Sequence, residues 1–584
     1  MSAAAQTTWV RQIADALARS GVETVAISPG SRSAPLALAL TEHPRLRTEV
    51  IVDERVAAFF ALGVARTTGK PAAALCTSGS AGAHYHPAVV EAGRAGLPLL
   101  LLTADRPPER HHRLAPQTIE QVAFYGAHCR GCFDLGPAEA APALLGATAR
   151  TVAQAVARAR GAAGAPAGPV QLNLRLRKPL EPAPDAPPIV DVSLPRVHPP
   201  QPAPSATSLD TLAELCRVKR RGLIVAGPAH PWSAPDHALF TQFSRSTGMP
   251  LVAEAASQQR WARSSGHPSC ASWEWLLRCG CLADQGPPDL LIHFGPPATP
   301  SGAGTLAEAF PEATLVVVHP TAEGDPADGA HLLLQADPAR VLEGLIQRAG
   351  RGPGSHQRWG ARIDRFDREV WRFFEQTLDA DAAFGEAIAV RTVVRHLPDD
   401  ALLALANSLP IREVDLFCPP SMAQAPVLHQ RGAHGIDGLV AAAAGAGWAG
   451  GRPVVLLCGD LALLHDLGGL AAARRSRAPL AIVVLANGGG RLFDLLPASR
   501  HAGLAEHFDA LFTAGQTLDL ESLARGFGIP YRSCSDAPGL ARSLQEAGAR
   551  AGCTLIEAQV GDAAARTIAE VTGALRRRLD RLAP

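Results

Sequence analysis

At 584 residues the chain exceeds what one hydrophobic core supports and has length for roughly three to four domains of about 150 to 200 residues. Lys+Arg 55 against Asp+Glu 54 leaves a formal net charge of +1, and 47% hydrophobic with 19% charged residues is a globular balance, not a disordered one. With no lysine-rich arm, basic helix or interleaved aromatic platform, this near-neutrality argues against nucleic acid or a membrane surface as partner.

The N-terminal MSAAAQTTWVRQIADALARSG has amphipathic helical spacing and none of the charged start, apolar block and cleavage site of a signal peptide, so a cytoplasmic protein is expected. Over residues 22–177, apolar runs alternate with Ala-rich helical patterns, and each run ends in a polar loop: TVAI before SPGSRS, EVIV before DER, AAALC before TSGS, LPLLLLT before ADRPPE. That alternation predicts a parallel sheet with crossover helices, whose ligand-bearing loops leave the carboxyl ends of the strands. Between residues 179 and 204, ten of twenty-six residues are proline, which rules out a packed helix or central strand and predicts an extended surface linker. A second α/β pattern follows with strands near GLIVAG, DLLIHFG and TLVVVHP, ending at AGRGPGSHQ. After a charged helical stretch, a third pattern has strands at ALLALAN, VVLLCGD, LAIVVLAN and TLIEAQV. The expected organisation is a first α/β domain over 1–185, a Pro-rich linker over 186–207, a central α/β domain over 208–350, a connecting helical segment over 351–385 and a last α/β domain over 386–584. The longest uncharged apolar stretch, 439–451, is short of the ~20 residues that span a bilayer and reads as a buried helix.

The eleven cysteines are scattered, and the closely spaced Cys129/Cys132 and Cys279/Cys281 lack a partner pair at zinc-finger spacing, so reduced buried thiols are expected. Gly445-Ala-Gly447-Trp-Ala-Gly450 is a literal G-x-G-x-x-G in the wrong context. A dinucleotide fingerprint follows a strand and opens a helix. These glycines close the helix DGLVAAAAGAG and lead into PVVLLC, which predicts a small-residue helix packed close to a neighbour. A better signal comes one strand later, where Gly459-Asp460-Leu461 ends PVVLLC and Asn487-Gly488-Gly489-Gly490 ends LAIVVLA. Adjacent loops at one sheet edge would then present a carboxylate, an amide oxygen and a glycine-freed carbonyl, a hard-cation site suited to Mg²⁺ completed by phosphate oxygens.

Gly-Asp followed about 27 residues later by Asn resembles the diphosphate-and-metal motif of thiamine diphosphate enzymes. The segments SPGSRSAPLALAL, DERVAAFFALG, CTSGSAGAHYHPAVVEA, LTADRPPE, RGAHGIDGL, GDLALLHDL and ANGGGRLFDLLP resemble one branch, the 2-succinyl-5-enolpyruvyl-6-hydroxy-3-cyclohexene-1-carboxylate synthases of menaquinone biosynthesis. The likeness covers both outer regions and is faint in the middle. It implies three doubly wound parallel-sheet α/β domains, the first binding the aminopyrimidine and the third the diphosphate of thiamine diphosphate. Mg²⁺, or Mn²⁺ in its place, would be held by Asp460, Asn487 and Gly489. Glu54 would be the catalytic, buried carboxyl on the aminopyrimidine, with Ile436, Gly459 and Leu461 completing the cofactor contacts.

The implied reaction is decarboxylation of 2-oxoglutarate and conjugate addition of the resulting succinyl-semialdehyde enamine to isochorismate. The substrate positions carried over are Ser31, Arg32, Arg106 and Gln117, then Ser408, Arg412 and Arg431, with Leu492, Phe493 and Leu496 as an apolar wall. The arginines suit the carboxylates of the two substrates, because a planar guanidinium binds each through paired hydrogen bonds. A homo-oligomer, dimer or tetramer, with active sites at the subunit interface is also implied. The chain departs from the family where Phe294-Gly295 leads into PPATPSGAGTL without a lysine or arginine, and at Pro116, Gln430, His434, Gly468 and Ala486. A paralogue with another donor or acceptor, and a non-catalytic homologue, are the competing readings.

Overall fold

In a computed structural model of the chain, residues 2–582 are described apart from 163, 262–265, 300–303, 322–323, 326–327, 349–353 and 379–382. The chain forms two compact units, one of residues 1–200, 430–452 and 464–480, the other of 201–429, 453–463 and 481–584.

The first unit is built on a six-stranded sheet of β1 (Thr24–Ile27), β2 (Arg47–Val50), β3 (Ala72–Cys76), β4 (Leu99–Asp105), β5 (Cys132–Leu135) and β6 (Val170–Arg175), in the order β2-β1-β3-β4-β6-β5. All its registered pairs are parallel. β3 and β4 are buried along their whole length, which is why they read as unbroken apolar runs. The expected strand EVIV is displaced: β2, an edge strand, ends at Val50, and Val52 lies beyond it, 81% exposed. The helix Glu54–Thr68 starts where Asp53 accepts hydrogen bonds from Arg55 N and Val56 N and stops at left-handed Gly69. Against it lies the helix Leu439–Gly450, so close that a Cβ on Gly63 would fall 2.1 Å from Ala442 O and one on Gly445 2.1 Å from Phe60 O. The misleading glycine pattern is a helix–helix contact closed by left-handed Gly451, as its order in the sequence predicted.

Residues 179–204 carry no helix or strand, but the segment is less superficial than expected. Leu180, Ala183 and Val192 are buried, and the first helix, Ala3–Arg19, reaches it through Gln6 to Pro179 O, Thr8 to Pro187 O and Gln12 Oε1 from Val190 N. Proline carbonyls still accept, so side-chain donors complete what a prolyl backbone cannot.

The second unit contains two further parallel sheets. β7 (Gly222–Ala226), β8 (Leu251–Ala253), β9 (Leu290–Phe294), β10 (Thr314–His319) and β11 (Leu332–Gln335) run in the order β11-β10-β9-β7-β8. β12 (Leu402–Leu405), β13 (Val427–His429), β14 (Val454–Gly459), β15 (Pro479–Leu485), β16 (Tyr531–Cys534) and β17 (Gly552–Ala558) run in the order β13-β12-β14-β15-β17-β16. This last order repeats that of the first sheet strand for strand. In both, the chain reverses direction between the first and third strands, the position at which doubly wound sheets bind ligands. The helix Gln357–Thr377 packs Phe366, Val370 and Phe374 into a core shared with Trp275 and Phe417. No described helix is long and apolar enough to cross a membrane.

Candidate active site

In the third sheet, β14 and β15 are neighbours and end side by side, and their loops bring Asp460 and Asn487 together. Asp460 Oδ2 accepts from Gly488 N at 2.9 Å and Gly489 N at 3.0 Å, while its Oδ1 accepts from Leu461 N at 2.7 Å. Asn487 Oδ1 also accepts from Gly489 N, at 3.3 Å, so one backbone N–H gathers both side-chain oxygens. Burial pushes the Asp460 carboxyl up, and the three backbone donors and Arg491 pull it back. Gly489 has φ +132°, and a Cβ there would lie 2.4 Å from Thr513 O, so only glycine serves. At half-buried Gly459 a Cβ would meet nothing within 4 Å, which leaves space beside Asp460.

Behind Asn487 stands a pair of acids that sequence reading missed. Asn487 Nδ2 donates to Glu386 Oε1 at 2.8 Å, which turns the amide oxygen toward Gly489. Glu386 neighbours Glu413, both buried; burial pushes both carboxyls up, and the charge of Glu386 adds to the rise at Glu413. A single acid at the start of a predicted helix carries no signal that would have marked Glu386. In the same unit, Arg412 Nη1 donates to Ser408 O at 2.6 Å across a turn that holds Ser408 at φ +74°, a strained conformation for a residue with a Cβ. Leu492, Phe493 and Leu496 are half-buried, and Phe493 packs edge-on against Phe512 with ring centroids 5.5 Å apart.

In the first unit, Glu54 opens its helix and is half-buried, so the single chain does not supply the burial expected of it. Arg106 and Gln117 meet: the Arg106 guanidinium donates to Gln117 Oε1 at 3.4 Å, and Gln117 Nε2 to Ser78 O at 2.9 Å. Arg32 is 5% exposed; one nitrogen donates to Leu176 O at 2.7 Å, and its Nε is buried without a partner. Burial, then the neighbouring charges of Arg106 and Arg110, bring the Arg32 guanidinium down to about 10. The positive charges of Arg106 and Arg110 thus face buried Arg32, with the Asp105 carboxylate opposing them. Ser31 is exposed on the same turn as Arg32. Arg431 and Ile436 are half-buried in the loop before the helix Leu439–Gly450. Among the family departures, Gly468 has a physical reason: a Cβ there would already press on Asp53 Oδ2 and Val56 at 3.1 Å. Part of the base-free segment after Gly295, residues 300–303, lies outside the described residues.

Residues 7–124 match the family model of the thiamine pyrophosphate enzyme N-terminal TPP binding domain, and residues 421–558 match the C-terminal TPP binding domain. A 2-succinyl-5-enolpyruvyl-6-hydroxy-3-cyclohexene-1-carboxylate synthase from Sorangium cellulosum is 41% identical, over 96% of this chain and 94% of its own. The chain belongs to this synthase family. Synthases of the same name from Myxococcus xanthus and Natronomonas pharaonis are 36% and 35% identical, each covering at least 94% of both chains. The family member is thus a thiamine diphosphate-dependent, C–C bond-forming enzyme with a divalent metal. Its residues fit those cofactors. No cluster of three or more His, Cys, Asp or Glu side chains placed for a metal occurs among the described residues. The synthase instead offers one carboxylate, one oriented amide oxygen and a glycine loop, the few hard oxygens that Mg²⁺ accepts when phosphate and water complete its shell.

Proposed function

We propose that this synthase decarboxylates 2-oxoglutarate and joins the remaining four-carbon unit to isochorismate, releasing CO₂ and forming the product its relatives are named for, in menaquinone biosynthesis. The convergence of Asp460 and Asn487 on Gly489 N carries the reading, because it builds a hard-cation cradle at the third sheet's carboxyl edge. When bound, thiamine diphosphate supplies an electron sink at the carbon that loses CO₂, and the metal ties its diphosphate to the protein. Asp460, the Asn487 amide oxygen and the Gly489 carbonyl hold the metal, with Gly459 and Leu461 along the diphosphate and Ile436 against the cofactor's body. Glu54 holds and passes a proton at the aminopyrimidine. Arg32, Arg106 and Arg431, with Ser31 and Gln117, and Ser408 with Arg412 bind substrate carboxylates through charge-assisted hydrogen bonds. Leu492, Phe493 and Leu496 exclude water from the reacting carbons.

The same reading assigns the aminopyrimidine to residues 1–185 and the diphosphate to 386–584, with 208–350 between them. It makes the enzyme a cytoplasmic homo-oligomer in which a second subunit covers half-buried Glu54 and exposed Val52. The test is incubation of the purified protein with 2-oxoglutarate, isochorismate, thiamine diphosphate and Mg²⁺, with products identified by mass spectrometry. The adduct is expected. CO₂ release without it would point to another acceptor, the reading favoured by the missing base after Gly295.

A further inference from the structure

Glu91 is the buried charge that the proposed chemistry leaves without a task. It lies on the helix His86–Ala95, is 3% exposed, and a carboxylate so placed must be paired and hydrogen-bonded. Arg66, on the Glu54 helix and equally buried, approaches its Oε1 at 2.6 Å. Its remaining capacity goes to the loop that carries Arg431. Gly432 N donates to Oε1 at 3.2 Å and Ala433 N to Oε2 at 2.6 Å, so one carboxylate holds two successive backbone N–H groups. The approach is close enough that a Cβ on Gly432 would sit 2.7 Å from Glu91 O and 2.8 Å from Ala95 N. Two further bonds lie within the loop. Gln430 Nε2 donates to Asp437 O at 2.9 Å, and the His434 ring, on a residue with φ +62°, meets Arg431 O at 3.1 Å. Gln430 and His434, two departures from the family, therefore act as fasteners within the loop.

We infer that Glu91, charged and held by Arg66, is a positioning residue that fixes the backbone of the Arg431 loop and thereby aims the Arg431 guanidinium at a substrate carboxylate. Arg66 and Glu54 belong to one helix, so the ion pair ties the loop to the element that carries Glu54. Glu91 touches no reacting group; it acts through Gly432 and Ala433. A glutamine at 91 has one acceptor oxygen for two N–H groups and no charge for Arg66. The inference rests on Arg431 being a substrate ligand.

The experiment is a double-mutant cycle in the full-length synthase with its cofactors, using Arg431→Ala, Glu91→Gln and the pair, read as KM and kcat for 2-oxoglutarate and isochorismate. Arg431→Ala is expected to raise one KM about ten- to a hundredfold, the scale of a lost charge-assisted contact. Glu91→Gln should raise the same KM at least about fivefold with kcat within about twofold, and add nothing once Arg431 is alanine. Effects that multiply, or an unchanged KM in Glu91→Gln beside a raised one in Arg431→Ala, would overturn it. Amide hydrogen exchange over residues 430–437 reads the positioning without substrate: it should quicken in Glu91→Gln, and an unchanged rate also overturns the inference. Quickened exchange with Arg431→Ala kinetically silent would discard the substrate role of Arg431 instead. Should Glu91→Gln fail to fold, Arg66→Met is expected to reproduce its KM effect and Arg66→Lys to restore it; equal KM values in those two variants would refute the role.

Discussion

Asp466 offers a test of burial by pH alone. Its side chain is fully buried, Oδ2 accepts from Ala441 N at 2.9 Å in the first turn of the helix Leu439–Gly450, and Oδ1 has no partner. Burial pushes the carboxyl up to about 7 from an ordinary 3.8, with the backbone donors and Arg55 resisting and Asp437 adding to the rise. Between those values the folded protein holds a proton that the unfolded chain has released. Stability from this group is therefore complete below about pH 4, falls as pH rises through the window and levels off above about 7. At ~1.4 kcal/mol per unit, the loss reaches about 4 kcal/mol. Asp466→Asn keeps an oxygen for Ala441 N and cannot ionise, so the variant should already exceed wild type by about 1.6 kcal/mol at pH 5 and by up to about 4 kcal/mol at pH 8. Denaturant midpoints of both proteins at the two pH values measure it, since groups common to both cancel in the difference. A difference that does not change between pH 5 and pH 8 would refute the reasoning.

Glu54→Gln is isosteric and should leave folding and cofactor binding near wild type while turnover falls by about two to four orders of magnitude, as loss of a proton-transfer group does; a comparison of kcat with thiamine diphosphate titration checks both halves. Asp460→Ala removes the carboxylate that gathers Gly488 N and Gly489 N, so calorimetric affinity for Mg²⁺ and thiamine diphosphate should collapse together. Gly63→Ala drives a Cβ to 2.1 Å from Ala442 O, where backbone must move, and a loss of about 1–3 kcal/mol is expected in unfolding experiments. Ala446→Ser, on the facing helix Leu439–Gly450, adds one hydroxyl to a Cβ already accommodated there and is the control expected to cost less.

The central strands were legible because parallel sheets bury them on both faces and leave apolar runs such as AAALC and PVVLLC. Those not singled out are mainly edge strands: β5, β8, β11, β13 and β16, each bordering a single neighbour and too short or too polar to stand apart. β6 is different, an interior strand whose Gln171 and Asn173 are buried polar groups. They join Thr103, Asp105 and Gln121 in a hydrogen-bonded network inside the sheet, so its pattern imitates a surface strand. At the site, residue types and loop positions were readable for Asp460 and Asn487, since both follow strands. Their supports were not. Glu386 lies 101 residues from Asn487 and Glu91 more than 340 from Gly432, and no local pattern encodes contacts between such distant segments.

The discontinuity of the first unit has a consequence for biosynthesis. The face of the Glu54 helix formed by Phe59, Phe60 and Gly63 is sealed by the helix Leu439–Gly450, including a 6.0 Å ring contact between Phe60 and Trp448. About 370 residues of chain separate the two helices, and at ~5–20 residues per second a ribosome needs roughly 20–75 seconds to cover them. Throughout that interval the nascent N-terminal sheet can form while its most intimate helix contact stays bare and apolar. A chaperone that recognises exposed aromatic side chains should therefore hold the nascent chain from residue 60 onward and release it only after residue 450 has emerged.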